Sequence, residues 1–307
     1  METEVLQNTL NKIGGLLAIG FGEAGSKIIA QNMRQGDDVD PLLPGQKVIA
    51  IFGFCDIRRF TDATEVLQEG VMLFVNEIGE IVHGVVDRYQ GAANKNIGDA
   101  FLLVWKFDED SYKENSESGE LELIPSNKVS QLCDMSMISF LKIIGQTKRS
   151  RKMRKYANHS ALNRRMPNYE VKMGFGLHQG WAIEGALGSF YKIDASYLSP
   201  NVNMSSKLEE TTKAYDSPVL ISGDLHRYFT DACKRECRQI DNIVFSGQQT
   251  PTELFTCDVD FSNLDLEPYK PPATKQQART SRVKVRLQRN AFKESVMLGE
   301  IDVSLLF

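Results

Sequence analysis

From Lys47 the chain reads KVIAIFGFCD, an apolar run closed by an acid, which predicts a strand buried on both faces. Asp62 and Glu65 follow at capping-box spacing, and Val71, Phe74, Val75, Ile78, Val82, Val85 and Tyr89 then recur at three- and four-residue steps. One amphipathic helix is expected over about 62–89. It stops at Gly91, and ANKNIGDAFLLVWKF predicts a strand, a Gly98-Asp99 turn and a second, more apolar strand. Val129 to Ile144 is helical in pattern. VKMGFGLHQGWAIEGALG predicts two strands joined at Gln179-Gly180. A helix is expected from Pro200 to about Tyr215, with its proline in the first turn, then a strand at PVLISG and a helix from Asp224 to Ala232. RQIDNIVF and ELFTCDVD close the pattern as two more strands. Strands alternate with helices and several neighbours meet at tight turns, so the class is α+β with a mixed or antiparallel sheet.

The same pattern divides the chain. Residues 1–46 read as a leader or connector ending in DDVDPLLPG, a break with two prolines and a closing glycine. Residues 47–260 form one catalytic-type domain. Within it, 108–122 is acidic and polar and 148–165 is basic, so 108–168 is expected to be an insertion with charged, mobile flanks. The basic run itself reads as a solvated flank. The stretch 261–307 is a Pro-containing basic tail: after Pro268, Pro271 and Pro272 come seven basic residues and no acid from Lys275 to Lys293. Such an arm suits contact with a membrane surface or a protein partner.

Composition narrows the function classes. The chain has 307 residues with 42% apolar side chains, enough for an ordinary core. Lys and Arg number 36 against 40 Asp and Glu, a net charge of −4, which argues against a nucleic-acid partner held by bulk positive charge. No run of 18 apolar residues is present, and the first residues lack the pattern of a signal peptide. Five cysteines without paired short spacings suggest reduced thiols and a cytoplasmic protein, free or peripheral to a membrane or larger assembly. Cys233 and Cys237 lie four apart, but the sequence places no third ligand beside them, so a zinc site is not expected.

Two constellations could carry chemistry. Gly20-Phe21-Gly22-Glu23-Ala24-Gly25 has the G-x-G-x-x-G spacing of a dinucleotide site, yet no acid closes the unit at the right distance on a strand end. A hinge of small residues explains it as well, and a dinucleotide-binding oxidoreductase is the weakest reading. The second pair is Asp56, which ends an apolar strand, and Asp99, which sits on a hairpin turn. Carboxylates brought together in this way suit Mg²⁺, which completes its shell with water and phosphate oxygens. The residues after Asp56 open a helix, whose free N–H groups favour an anion beside the metal. Each acid alone has a plainer explanation, as a helix cap or a turn former. His178 is expected in a structural role, and Trp105 and Trp181 in packing.

The residues around this pair resemble the class III nucleotide cyclase catalytic domain. FCDIRRFT is similar to that family's F-x-D-I-x-x-F-T, and NKNIGDAFLLVW to its K/E-T-I-G-D-A strand-turn-strand. VKMGFGLHQGWAIEGALG is similar to its R-I-G-I-H-T-G segment, and SPNVNMSSKLEE to its V-N-x-A-S-R-M-E helix. The four blocks occur in order from about Lys47 to Asp258. The resemblance implies the class III catalytic fold: a ferredoxin-like mixed or antiparallel sheet core with flanking helices.

It also implies an adenylate cyclase that converts ATP to 3′,5′-cyclic AMP and pyrophosphate with two ions, Mg²⁺ or Mn²⁺. Asp56 and Asp99 would hold the metals, assisted by the Ile57 carbonyl, and Phe60 and Thr61 fall in the nucleotide-binding stretch after them. Lys95 and Ser196 take the two base-selecting positions, where an ammonium suits adenine N1 and guanine N1–H would need an acceptor. Asn203 would orient the ribose. Sites of this family lie between two catalytic domains, so the implied partner is a second cyclase domain, either another copy or a different half. Two positions depart from the family. Its catalytic arginine is Lys207 here, on the face of Asn203 but without the planar fork. Its polyphosphate-touching lysine is missing at Phe245-Ser246-Gly247-Gln248. These departures motivate the alternative, a catalytically weak or silent cyclase-homology module that binds nucleotide or scaffolds a partner.

Overall fold

The computed structural model describes residues 44–115, 119–189 and 191–258, with a few isolated positions besides (5, 6, 9, 13, 25 and 264). The basic tail apart from Leu264, the leader up to Leu43 apart from the isolated positions just given, and all of the Gly20–Gly25 motif except Gly25 lie outside them. Strand β1 (Gln46–Ile57) is buried through its middle, as its unbroken apolar run requires of a central strand. The turn at Arg58 and Arg59 leads into α1 (Phe60–Leu67), a 3₁₀ turn (Gln68–Gly70) and α2 (Val71–Arg88). The single helix expected over 62–89 is thus two. The break falls at Gln68, whose φ of 51° no helix accommodates.

Strands β2 (Ala92–Ile97) and β3 (Ala100–Lys106) form the expected hairpin, and Gly98 takes the positive φ of 65° that its turn demands. A small ribbon follows, β4 (Tyr112–Glu114) against β5 (Leu121–Leu123), and then α3 (Asn127–Arg149), capped by Ser126. The expectation of an insertion over 108–168 is corrected here. Helix α3 is a central part of the core: Met135, Met137, Phe140 and Ile143 are fully buried. Phe140 meets Trp105 edge-on at 5.9 Å and Phe175 at 4.8 Å, in space left open by Gly53. Charged flanks around a buried helix misled the reading.

The basic flank is likewise fastened rather than free. It forms α4 (Arg151–Ala157) and α5 (Ser160–Arg165). Lys152 pairs with Glu80 at 2.6 Å and Lys155 with Glu77 at 2.7 Å, both on α2. Arg165 bonds Asp62 at 2.9 Å and Glu65 at 3.1 Å on α1.

Strand β6 (Met173–Ser189) runs unbroken for 17 residues through Gln179 and Gly180, where two strands were expected, because β1 pairs with it from Met173 to Glu184. From Ile183 to Ser189 it pairs with β7 (Lys192–Leu198), a strand the polar KIDASYL did not suggest. Helix α6 (Pro200–Thr211), β8 (Val219–Ser222), the short helices α7 (Gly223–His226) and α8 (Asp231–Arg235), and strands β9 (Cys237–Ile243) and β10 (Thr252–Cys257) complete the domain. The sheet order is β2-β3-β1-β6-β8-β10-β9, with β7 on β6, and only β6 and β8 are parallel. The first four strands with α1–α2 and α3 are the βαββαβ unit of a ferredoxin-like core, so the α+β reading holds. Among the described residues no helix is long and apolar enough to cross a membrane.

Candidate active site

The β1 end and the β2–β3 turn bring two carboxylates together. Register pairs Asp56 with Ala100, and the Ile57 N–H donates to the Asp99 carbonyl at 3.2 Å. Asp56 is half-buried, and its carboxyl is pushed up to about 7, first by burial and then by the charges of Asp99 and Glu209; Lys213 and Arg58 pull weakly the other way. Arg58, whose Nη1 is 4.0 Å from the carboxylate, does not offset that rise. Two carboxylates beside the Ile57 carbonyl are the hard oxygen donors that Mg²⁺ and Mn²⁺ accept, with water and phosphate completing the shell. No cluster of three or more His, Cys, Asp or Glu suited to a metal occurs among the described residues, so an ion here would depend on those other oxygens.

The chain leaves this point through Arg59, which holds a left-handed backbone (φ 57°, ψ 36°) as it enters α1. The first N–H groups of α1 have no partner within the helix. An open cleft of about 450 Å³ is lined by Phe60, Thr61, Thr64, Glu65 and Gln68. Phe60 and Thr61 therefore lie on a concave surface, whose lining does not include Asp56 or Asp99.

The remaining candidates lie on other elements. Lys95, at a β-bulge in β2, reaches across to β7, where its ammonium is 3.8 Å from the Asp194 carboxylate. Next to it the Asn94 amide donates to the Ala195 carbonyl at 3.4 Å, which places Lys95 and the nearly buried Ser196 in one neighbourhood. Asn203 is exposed on α6, and Lys207 one turn on is partly so. The Lys207 ammonium donates to the Ser246 carbonyl at 2.9 Å, so the two positions that depart from the family pattern touch each other.

Several contacts were not foreseen. Glu209 is buried on the inner stripe of α6 and bonds Arg58 at 2.5 Å. A carboxylate on the apolar face of an amphipathic helix was the available signal, since such a group needs a cation. Asp194 lies two residues from Ser196 and hence on the same face of β7. His178 is held between the Ser222 hydroxyl at 2.8 Å and the Asn201 amide oxygen at 3.1 Å, and burial lowers its pKa; it ties β6 to β8 and α6. Cys257 stands opposite Cys237 in the β9–β10 ladder, with Cys233 beside them, so a third thiol does join the pair. All three are free thiols. Trp105 is fully buried and donates to the Tyr89 carbonyl, whereas Trp181 is 37% exposed with Lys47 over its ring.

Comparison with known proteins agrees with this frame. The chain is 23% identical over 192 residues to an adenylate cyclase of Anabaena cylindrica, covering 62% of this chain and 33% of the relative. It is 25% identical over 211 residues to the terminal-differentiation-specific adenylate cyclase of Dictyostelium discoideum, covering 68% of this chain and 8% of that one. The chain thus spans a third or less of the length of these relatives. A bacterial light-regulated adenylyl cyclase superposes with a TM-score of 0.60 at 21% identity, over 84% of this chain and 64% of that one. The adenylyl cyclase CyaB from P. aeruginosa gives 0.53 at 18%, over 71% and 97%. Residues 1–34 match the description RasGEFs all helical domain. Residues 45–256, from the start of β1 to the end of β10, match the adenylate and guanylate cyclase catalytic domain, and the chain belongs to that family.

Proposed function

We propose that this chain is an adenylate cyclase catalytic domain that converts ATP to 3′,5′-cyclic AMP and pyrophosphate at an interface with a second cyclase domain. The observation that carries this reading is the Asp56–Asp99 pair, which the β1 end and the β2–β3 turn bring together; burial first, and then the charges of Asp99 and Glu209, push the Asp56 carboxyl up to about 7. Asp56, Asp99 and the Ile57 carbonyl would hold two divalent cations, Mg²⁺ or Mn²⁺, which supply charge neutralisation on the phosphates and a more acidic ribose 3′-hydroxyl. The 3′-oxygen attacks the α-phosphorus and pyrophosphate leaves. The first turn of α1, at Phe60 and Thr61, offers N–H groups to phosphate oxygens. Lys95 donates to adenine N1 and the Ser196 hydroxyl to the adjoining edge of the base. Asn203 orients the ribose, and Lys207 is the cation nearest the role of the family's arginine.

The Lys207–Ser246 bond favours the second reading, a weak or silent module, since it directs the ammonium to a backbone carbonyl. Losing one such transition-state contact costs ~10²–10³-fold in rate. Turnover of the purified chain with ATP and with GTP, each with Mn²⁺ and Mg²⁺, separates these readings when run beside Asp56→Ala. Cyclic AMP that disappears in the variant supports the enzyme; cyclic GMP instead overturns the Lys95 assignment; no product from either nucleotide leaves the silent module.

A further inference from the structure

The basic stretch 148–165 holds eight Lys and Arg residues, and no Asp or Glu occurs between Asp134 and Glu170. The fold divides these cations by the side of the helix they occupy. In α4, Met153 and Tyr156 face the core. Lys152 and Lys155 flank that buried stripe and pair with Glu80 and Glu77 of α2, and the Tyr156 hydroxyl also donates to Glu77 at 2.7 Å. Arg151 and Arg154 lie on the opposite side, one turn apart and exposed. The same division holds in α5. Leu162 is buried and Arg165 bonds Asp62 and Glu65 of α1, whereas Arg164, two positions after Leu162, falls on the far side of the helix and is exposed. Among the described residues the side chains of Arg151, Arg154 and Arg164 have no ion pair or hydrogen bond.

These outward arginines adjoin exposed apolar side chains. Phe74 of α2 meets Tyr156 of α4 edge-on at 4.7 Å, so the start of α2 lies against α4. There Met72 and Leu73 are 67% and 56% exposed. Leu73 precedes Glu77 by one turn and shares its face. The opposing charge is Glu69, exposed on the 3₁₀ turn just before them, and one acid against three arginines leaves the surface positive. Cations without partners, set beside large apolar groups on two convex helices, suit an anionic lipid surface. Headgroups supply the negative charge, and the boundary beneath them takes the apolar side chains. A fluid surface also adapts to a convex array, for which a folded acidic partner would need a matching hollow.

We propose that the outer face of α4 and α5, bearing Arg151, Arg154 and Arg164, docks the domain on a membrane rich in anionic lipid. The sequence of the tail offers a second basic stretch, with seven cations and no acid from Lys275 to Lys293. Stable attachment to such a surface takes more than one signal. Docking is peripheral: no helix among the described residues is long and apolar enough to cross a bilayer. Attachment does not depend on cyclase chemistry, so it is measured without turnover.

The full chain is sedimented with vesicles of phosphatidylcholine alone and with vesicles holding about 30% phosphatidylserine, at about 0.1 M and 0.5 M salt. One variant combines Arg151→Gln, Arg154→Gln and Arg164→Gln. A charge-matched control combines Lys113→Gln, Lys192→Gln and Arg235→Gln, all exposed and outside this face. Each cation at the surface is worth about 5-fold in partitioning. The wild type should prefer the anionic vesicles at least ~100-fold at the lower salt, the arginine variant should lose ~30–100-fold, and the control should lose less than ~5-fold. The higher salt should remove most of the preference. Met72→Ser with Leu73→Ser should weaken binding about 5-fold. Equal losses in the arginine variant and the control reduce the effect to net charge and overturn the proposal, as does a wild type that prefers neither vesicle. A wild type that binds a polyglutamate peptide but not vesicles overturns it in favour of an acidic protein partner. Should the arginine variant melt more than about 5 °C below wild type, the single Arg154→Gln decides. A loss of about 5-fold then upholds the proposal and unchanged partitioning overturns it.

Discussion

The Asp56 end of β1 and the Lys207 face of α6 are built in opposite ways. Asp56 is half-buried and fixed by ladder bonds on both flanks, and its electrostatic state departs far from that of a free carboxyl. Lys207 is partly exposed, and its ammonium donates to the carbonyl of a loop residue, Ser246. The first region has a raised free energy that a cation would relieve. The second meets the needs of its own cation within the chain. On the proposed reading, the carboxylate half of the site is enforced by the fold, whereas the Lys207 half is given over to a local contact.

The largest effect should come at the enforced end. Asp56→Ala is expected to abolish cyclic nucleotide formation by at least ~10³-fold while the far-ultraviolet circular dichroism stays unchanged; activity within 10-fold of wild type would show that the carboxylate pair is not the metal half. Phe140→Ala separates site from scaffold. It should destabilise the domain by about 3–5 kcal/mol in urea unfolding, since it empties the space between Trp105 and Phe175. A cost below about 1 kcal/mol would return α3 to the status of an insertion. Lys207→Arg sharpens the other side of the comparison: a restored planar fork should raise kcat about 10–100-fold, and an unchanged rate would place the defect elsewhere, with the missing cation at Ser246 the next candidate.

The smallest effect is a pH dependence. Asp56 is raised in the folded state to about 7 from an unfolded value near 4, so the folded protein binds the extra proton and loses stability as pH rises through that window. In the absence of metal, Asp56→Asn should match the wild type near pH 4 and exceed its melting temperature at pH 8. The margin is about 2–4 °C, after allowance for a half-exposed group. Mn²⁺ should remove that margin. Equal melting curves at pH 8 would mean that the charge of Asp56 is already compensated.

Most strands were legible because their signals are local. An apolar run such as KVIAIFGFCD or a Gly-Asp turn between apolar strands has one reading. The β7 strand was not, since KIDASYL is half polar and pairs only along the projecting end of β6. Nor was the continuity of β6, where Gly180 looked like a turn; a Cβ there would strike the Asn201 side chain, so this glycine makes room for α6. Around the candidate site, Asp56 and Asp99 could be read from their contexts, but Glu209 and Asp194 could not. Their partners Arg58 and Lys95 lie 151 and 99 positions away along the chain, and only the folded sheet brings them together.

The length of β6 has a mechanical consequence. From Met173 to Glu184 it is clamped along β1, but its last five residues, Gly185–Ser189, are laddered to β7 and to no other described strand. At about 3.3 Å per residue, this leaves a cantilever of roughly 16 Å. A rotation of 10° at its root sweeps the tip through about 3 Å. Leu187 lies on that arm and is 46% exposed, so whatever grips the tip gains leverage on the root, where Ser196 is laddered to Gly185.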